Sequence, residues 1–175
     1  CSYVDAKIIK NEINRGYGFS IKEGLKIAKN NSIAICDCDG TYPVEEILKM
    51  FEIFNLENAD MVIGKRDFSK SSNSIIKNFG RSLVGKVVNK LTNENIPDFN
   101  SGLRIFKKKF LMEDINLYPD GFSLTTTLTI LMKLSSKKVV NHEINYLPRI
   151  GKSKIKAYDF FRFLKLILYL TFYFK

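Results

Sequence analysis

The chain has 175 residues, 45% of them hydrophobic and 26% charged, which suits one domain with its own core and is ordinary for a globular protein. Its cysteines, Cys1, Cys36 and Cys38, form no evenly spaced set, so a disulfide framework is excluded and a reducing, cytosolic compartment fits. The net charge of +10 is uneven, with seven basic residues against one acid from Arg149 to Lys175, and such an end favours phosphates, nucleic acid or an acidic membrane face.

Lys7-Ile8-Ile9 reads as the end of a short strand, and Asn11 to Gly18 as a loop with two glycines. Ser20 and Glu23 have the spacing of a capping box opening a helix through Ile21, Leu25 and Ala28, which Asn30-Asn31 end. Ile33 to Ile35 reads as a strand. Pro43, Glu45 and Glu46 open the next helix, with Ile47, Leu48, Phe51 and Phe54 as its buried stripe. Asp60 to Gly64 is a strand ending at Lys65-Arg66, Ser69 to Ser74 a polar loop, and Ile75 to Leu91 a long helix. Pro97-Asp98 breaks the pattern. Gly102 to Phe106 reads as a strand, Lys107 to Lys109 as a basic helix start, Gly121 to Leu134 as a helix, and Val139 to Leu147 as the last strand. Strands alternating with helices predict an α/β fold with a mainly parallel sheet and flanking helices.

From Ala157 the tail is apolar almost all round. It is too short to cross a membrane, which takes roughly 20 apolar residues. Its aromatic and basic content predicts an amphipathic interfacial helix over residues 157–175, the alternative being a helix packed on the sheet.

The central stretch is Ser32 to Pro43, S-I-A-I-C-D-C-D-G-T-Y-P. Side chains two apart on a strand share a face, so Asp37 and Asp39 are expected to point together at the strand's carboxyl edge, where open α/β sheets bind ligands. Gly40 allows a sharp turn there. Paired carboxylates suit a hard divalent cation, and a plain Asp-Gly turn is the simpler alternative. Cations are spread along the rest of the chain. Arg66 closes a strand, Lys77 and Arg81 share a helix face, Arg104 follows the Asp98–Gly102 turn, and Arg149, Lys152 and Ser153 lie in a glycine-containing loop suited to phosphate. This layout suits transfer between two phosphate-bearing substrates. His142, the sole histidine, sits in an alternating strand and reads as structural. No Ser/His/Asp or Cys/His set assembles, a Walker loop is absent, and Cys36-x-Cys38 has no second pair to make a zinc site.

Two resemblances compete for D-C-D-G-T. It resembles the first motif of haloacid-dehalogenase-like phosphatases, which implies Asp37 as nucleophile, Asp39 as general acid/base, and magnesium. The later paired acids of that family have only Glu113-Asp114 as a remote counterpart. The second resemblance runs over nearly the whole chain. N-R-G-Y-G-F-S-I-K-E-G, D-C-D-G-T-Y-P-V-E-E-I, D-M-V-I-G-K-R, I-P-D-F-N-S-G-L-R-I-F, G-F-S-L-T-T-T and Y-L-P-R-I-G-K-S-K occur in the order found in family 2 glycosyltransferases of the polyprenyl-phosphate type. The chain resembles the dolichyl-phosphate mannose synthase-like members.

That resemblance implies a GT-A fold over residues 1–156 that lacks its first strands, about 60 residues or two βαβ units, followed by the membrane-interface helix. It implies inverting transfer of a hexose from a nucleotide sugar, of GDP-mannose or UDP-glucose type, to a dolichyl or undecaprenyl phosphate at the cytoplasmic face of a membrane. Nucleic acid is not an expected partner. Asp37, Asp39 and Thr41 are the implied Mg²⁺ or Mn²⁺ site, although best-known relatives carry Gln where this chain has Thr41. Asn14, Gly16 and Gly18 join the two acids in holding the donor. Arg66, Lys77, Arg81, Arg149, Lys152 and Ser153 are the implied acceptor-phosphate grip, and Asp39, Asp98 and Arg66 the catalytic set. A non-catalytic nucleotide-sugar-binding module at a membrane is the remaining alternative.

Overall fold

The structure is a computed structural model that describes residues 6–67, 85–90, 92–147, 165, 166 and 169. Helix α1 (Tyr17–Ile27) leads into strand β1 (Ser32–Ile35), then helix α2 (Glu46–Leu56) and strand β2 (Met61–Arg66). Residues 85–90 are helical. Strand β3 (Arg104–Lys107) is followed by the short helix α3 (Lys109–Met112), a 3₁₀ turn (Ile115–Leu117), helix α4 (Leu124–Leu134) and strand β4 (Val139–Ile144).

The four described strands form one sheet in the order β1-β3-β2-β4. β3 pairs antiparallel with both β1 and β2, and β2 pairs parallel with β4. The α/β class matches expectation, but the described pairings are mixed rather than mainly parallel. The reason is β3, which returns from the site end of the sheet and inserts between two strands that run the other way. Hydrophobic pattern alone carries no strand direction.

Strand side chains alternate between two cores. Met61, Ile63 and Phe106 face a cluster with Leu25, Leu124 and Leu128, and Val62 and Ile105 face a cluster with Met50, Phe54 and Ile144. Helices α1 and α4 cover one face and α2 the other. The buried stripe of α2 is Met50 and Phe54, with Ile47 half-buried beside them. Leu48 and Phe51, expected inside, are 72% and 43% exposed. Met50 displaces them because it centres the stripe one position away.

Helix α1 starts three residues before the expected cap, with Gly16 as its N-cap and no side-chain cap bond. Ser20 Oγ instead donates to the Gly16 carbonyl at 3.2 Å, so the Ser20–Glu23 capping box is not formed. Lys7 to Ile9 are not strand, since they join no ladder among the described residues, and Ile8 is 89% exposed. Among the described residues no helix is long and apolar enough to cross a membrane. Most of residues 157–175, like most of the long helix expected over 75–91, lies outside the described residues. In the tail, Leu166 packs on the first core and Tyr169 is half-exposed. A cleft of about 500 Å³ separates Lys165, Leu166 and Tyr169 from Pro119, Phe122 and Ser123.

Candidate active site at the carboxyl ends of β1 and β2

β1 ends at Ile35, so Asp37 and Asp39 lie on the loop beyond it and strand alternation does not set their directions. Gly40, at φ +74°, makes the expected turn. Asp39 Oδ1 accepts two bonds from Thr41, from its amide at 3.2 Å and its hydroxyl at 2.6 Å. This is an Asx turn, in which the side chain closes the loop on itself. Thr41 is fully buried, and its carbonyl accepts the Leu147 amide at 2.9 Å.

Asp37 turns inward. Its carboxylate lies so close to Gly102 that a Cβ there would stand 2.5 Å from Oδ2. The buried Tyr17 hydroxyl faces the same carboxylate. Burial first, and then the charge of Asp37, push the Tyr17 phenol above its usual range. Gly16 and Gly18, on either side of Tyr17, pack on a second backbone. A Cβ at Gly16 would meet the Asp120 carbonyl oxygen at 2.4 Å, and one at Gly18 the Pro119 carbonyl oxygen at 2.2 Å. Asn14 Oδ1 accepts the Gly16 amide at 3.0 Å and shapes the loop. These glycines therefore have a packing reason that holds whether or not a nucleotide lies near them.

The sheet brings together Arg66 and Asp98, which are far apart in sequence. Asp98 is buried and accepts three N–H donors from Arg66: the backbone amide at 3.1 Å, Nε at 2.7 Å and an Nη at 2.8 Å. Burial opposes the Arg66 charge, but the bonds and field of Asp98 outweigh it and hold the guanidinium above its usual range. The guanidinium also lies 5.4 Å from the centre of the Tyr146 ring, which meets Tyr42 edge-on at 5.1 Å. The Tyr42 hydroxyl accepts the Gly102 amide at 2.7 Å.

Residues 98–102 thus join the two halves, and α4 anchors them. Asn100 Oδ1 accepts hydroxyl bonds from Thr125 at 2.7 Å and Thr126 at 3.0 Å, and Thr129 donates to the Phe99 carbonyl at 3.0 Å. Arg104 is fully buried. Its Nε donates to the Ser101 carbonyl at 3.0 Å, and one Nη reaches the Thr125 carbonyl at 2.8 Å and the Thr129 hydroxyl at 3.1 Å. Burial lowers its pKa to about 10, so it stays charged at neutral pH. Buried polar groups need such partners, which explains a threonine-rich helix inside the core. Arg104 is a loop clamp, not a surface cation.

Tyr17, Tyr42, Gly102 and the threonines were not singled out from sequence. The signal available for Tyr17 was a bulky ring between two glycines. His142, read from sequence as structural, hydrogen-bonds Glu46 at 2.8 Å. Cys36 is half-buried and Cys38 exposed, and burial followed by the neighbouring Asp37 raises the Cys36 thiol. No three His, Cys, Asp or Glu side chains converge among the described residues. The oxygen donors of Asp37 and Asp39 fit a hard divalent cation better than a soft one. Glu113 and Asp114 are exposed, beyond the opposite end of β3. Lys77, Arg81, Arg149, Lys152 and Ser153 lie outside the described residues.

Known proteins share this architecture. The chain is 28% identical over 165 residues to a dolichol-phosphate mannosyltransferase of Pyrococcus furiosus, covering 91% of this chain and 46% of the relative. It is 23% identical over 155 residues to a dolichyl-phosphate hexose transferase of Haloferax volcanii, covering 87% and 66%. A low-salt glycan biosynthesis hexosyltransferase of the same organism is 23% identical over 82% of this chain and 36% of its own length. The chain thus spans from about a third to two thirds of the length of these curated relatives. Among solved structures, glucosyl-3-phosphoglycerate synthase from Mycobacterium tuberculosis, in complex with Mn²⁺, UDP-glucose and phosphoglyceric acid, superposes with a TM-score of 0.66 at 11% identity, over 89% of this chain and 55% of that one. The fold is therefore GT-A, as the resemblance implied. Residues 2–114, more than half of the chain, match the glycosyl transferase family 2 model, and the chain belongs to that family.

Proposed function

We propose that the full-length protein transfers a hexose, with inversion, from a nucleotide sugar to a polyprenyl phosphate at the cytoplasmic face of a membrane. The observation that carries this reading is the 98–102 loop, which touches Asp37 at one end and holds Arg66 through Asp98 at the other. One loop thus supports both the first proposed metal ligand, Asp37, and the proposed acceptor cation, Arg66. The names of the curated relatives supply the acceptor class. The donor class draws on the UDP-glucose in the M. tuberculosis synthase.

In this reading Asp39 and Asp37 hold Mg²⁺ or Mn²⁺, with the Thr41 hydroxyl adjoining. Bound there, a divalent cation supplies charge neutralisation for the departing nucleoside diphosphate. Thr41 fixes the direction of Asp39, and Asn14, Gly16 and Gly18 shape the donor side. Arg66 meets the acceptor phosphate together with Lys77, Arg81, Arg149, Lys152 and Ser153. Asp98 orients Arg66, because three N–H donors already occupy its carboxylate. A strong base is unnecessary, since a phosphate monoester is mostly ionised at neutral pH, with a second pKa of about 6. One of its oxygens forms a bond to the anomeric carbon as the bond to the diphosphate breaks. Alignment and charge stabilisation carry the rest. The membrane contact is assigned to residues 157–175.

The test is extraction of labelled sugar into the lipid phase by full-length protein supplied with metal, polyprenyl phosphate and a panel of nucleotide sugars. Lipid-linked label is expected. Failure with every common donor contradicts the reading, and nucleotide binding without any turnover points to a non-catalytic module.

A further inference from the structure

Gly102 lies in the loop, away from the left-handed backbone conformations in which Gly16 and Gly40 sit. Space, not backbone freedom, requires a glycine here. The nearest atoms to a Cβ on it would be Asp37 Oδ2 at 2.5 Å, Cγ at 2.7 Å and Oδ1 at 2.9 Å, all within one carboxylate. The loop backbone therefore lies flat against that group.

The loop cannot retreat. The Gly102 amide is tied to Tyr42, the Ser101 carbonyl to Arg104, Asn100 to two threonines, and the neighbouring Leu103 carbonyl accepts the Gly64 amide at 2.9 Å. Ser101, Leu103 and Arg104 are fully buried. The atoms that a Cβ would meet are the end of the Asp37 side chain rather than backbone, so it is this carboxylate that has to shift. A methyl group added at position 102 displaces the carboxylate and leaves the loop in place.

We propose that Gly102 is a positioning residue for Asp37. Held by Tyr42 and Arg104, the 98–102 loop sets where the carboxylate meets the metal–donor complex. The proposal rests on the reading of Asp37 and Asp39 as a metal–nucleotide clamp. The same loop holds Arg66 through Asp98, so one support registers both halves of the site.

The experiment titrates full-length protein with Mn²⁺ alone and with Mn²⁺ plus UDP or GDP by calorimetry, and checks folding by thermal melting. Gly102→Ala is expected to weaken metal-dependent nucleotide binding roughly 10–100-fold, the usual cost of disturbing a group that orients a ligand. Tyr42→Phe keeps the ring but removes the hydroxyl on the Gly102 amide, and a smaller loss in the same direction is expected. Gly24→Ala, where a Cβ meets nothing within 4 Å, should match wild type. Wild-type affinity in a folded Gly102→Ala protein overturns the proposal. If that variant does not fold, unchanged affinity in Tyr42→Phe overturns it. Absence of metal-dependent nucleotide binding in the wild type sinks the clamp reading itself and this proposal with it.

Discussion

Thr41 donates twice to Asp39 Oδ1, so the direction of that carboxylate depends on a buried side chain two residues away. Replacing Thr41 with Val keeps the volume and removes the hydroxyl bond. The apparent metal affinity in a turnover assay should fall about tenfold, at a stability cost of about 1 kcal/mol. Unchanged metal dependence would show that the amide bond alone suffices. Asp39→Asn removes charge from the proposed clamp. Turnover by the full-length protein should drop at least about 100-fold while the melting temperature stays near wild type. Turnover close to wild type would remove Asp39 from the site.

Helix α4 is buried from Leu124 to Met132, yet carries hydroxyls at Thr125, Thr126, Thr127 and Thr129. Each has a partner, three of them in the 98–102 loop or in α4 itself, and Thr127 on the Ser123 carbonyl. The helix is thus an anchor for the loop as well as a core element. Arg104→Lys keeps the charge but cannot span the carbonyls of Ser101 and Thr125. It should cost about 3 kcal/mol, seen as a lowered melting temperature. At the far end of the sheet Asp60 joins β3 to β4, accepting Lys107 Nζ at 2.7 Å and the Lys138 amide at 3.0 Å. Burial opposes its charge, but those bonds prevail and hold the carboxyl below its usual range. Because its folded pKa lies below the unfolded one, its contribution is present above about pH 4 and lost as pH falls through the folded value. Melting temperatures of wild type should fall more steeply than those of Asp60→Asn between pH 5 and pH 3. Parallel curves would contradict this.

At the scale of the molecule, what could be read from sequence was local. Residue type and spacing marked the four described strands and the Asp-Gly turn after β1, and also a strand at Lys7 to Ile9 that does not form. They could not show that β3 inserts antiparallel between β1 and β2, because apolar runs carry no direction. The Arg66–Asp98 pair and the contact of Gly102 with Asp37 join segments distant in sequence, so no local pattern records them. Arg104 looked like one more cation near the acids, and its burial turned it into a clamp. Leu48 and Phe51 failed as core residues because apolar residues occupy two sides of α2 and spacing alone could not choose between them.

Inverting transfer to a lipid phosphate leaves its record in the structure of the product. Nuclear magnetic resonance of the lipid product made by the full-length protein should show a hexosyl-1-phosphoryl polyprenol whose anomeric configuration is opposite to that of the donor. Retained configuration, or free sugar released with no lipid-linked hexose, would rule out inverting transfer to a polyprenyl phosphate.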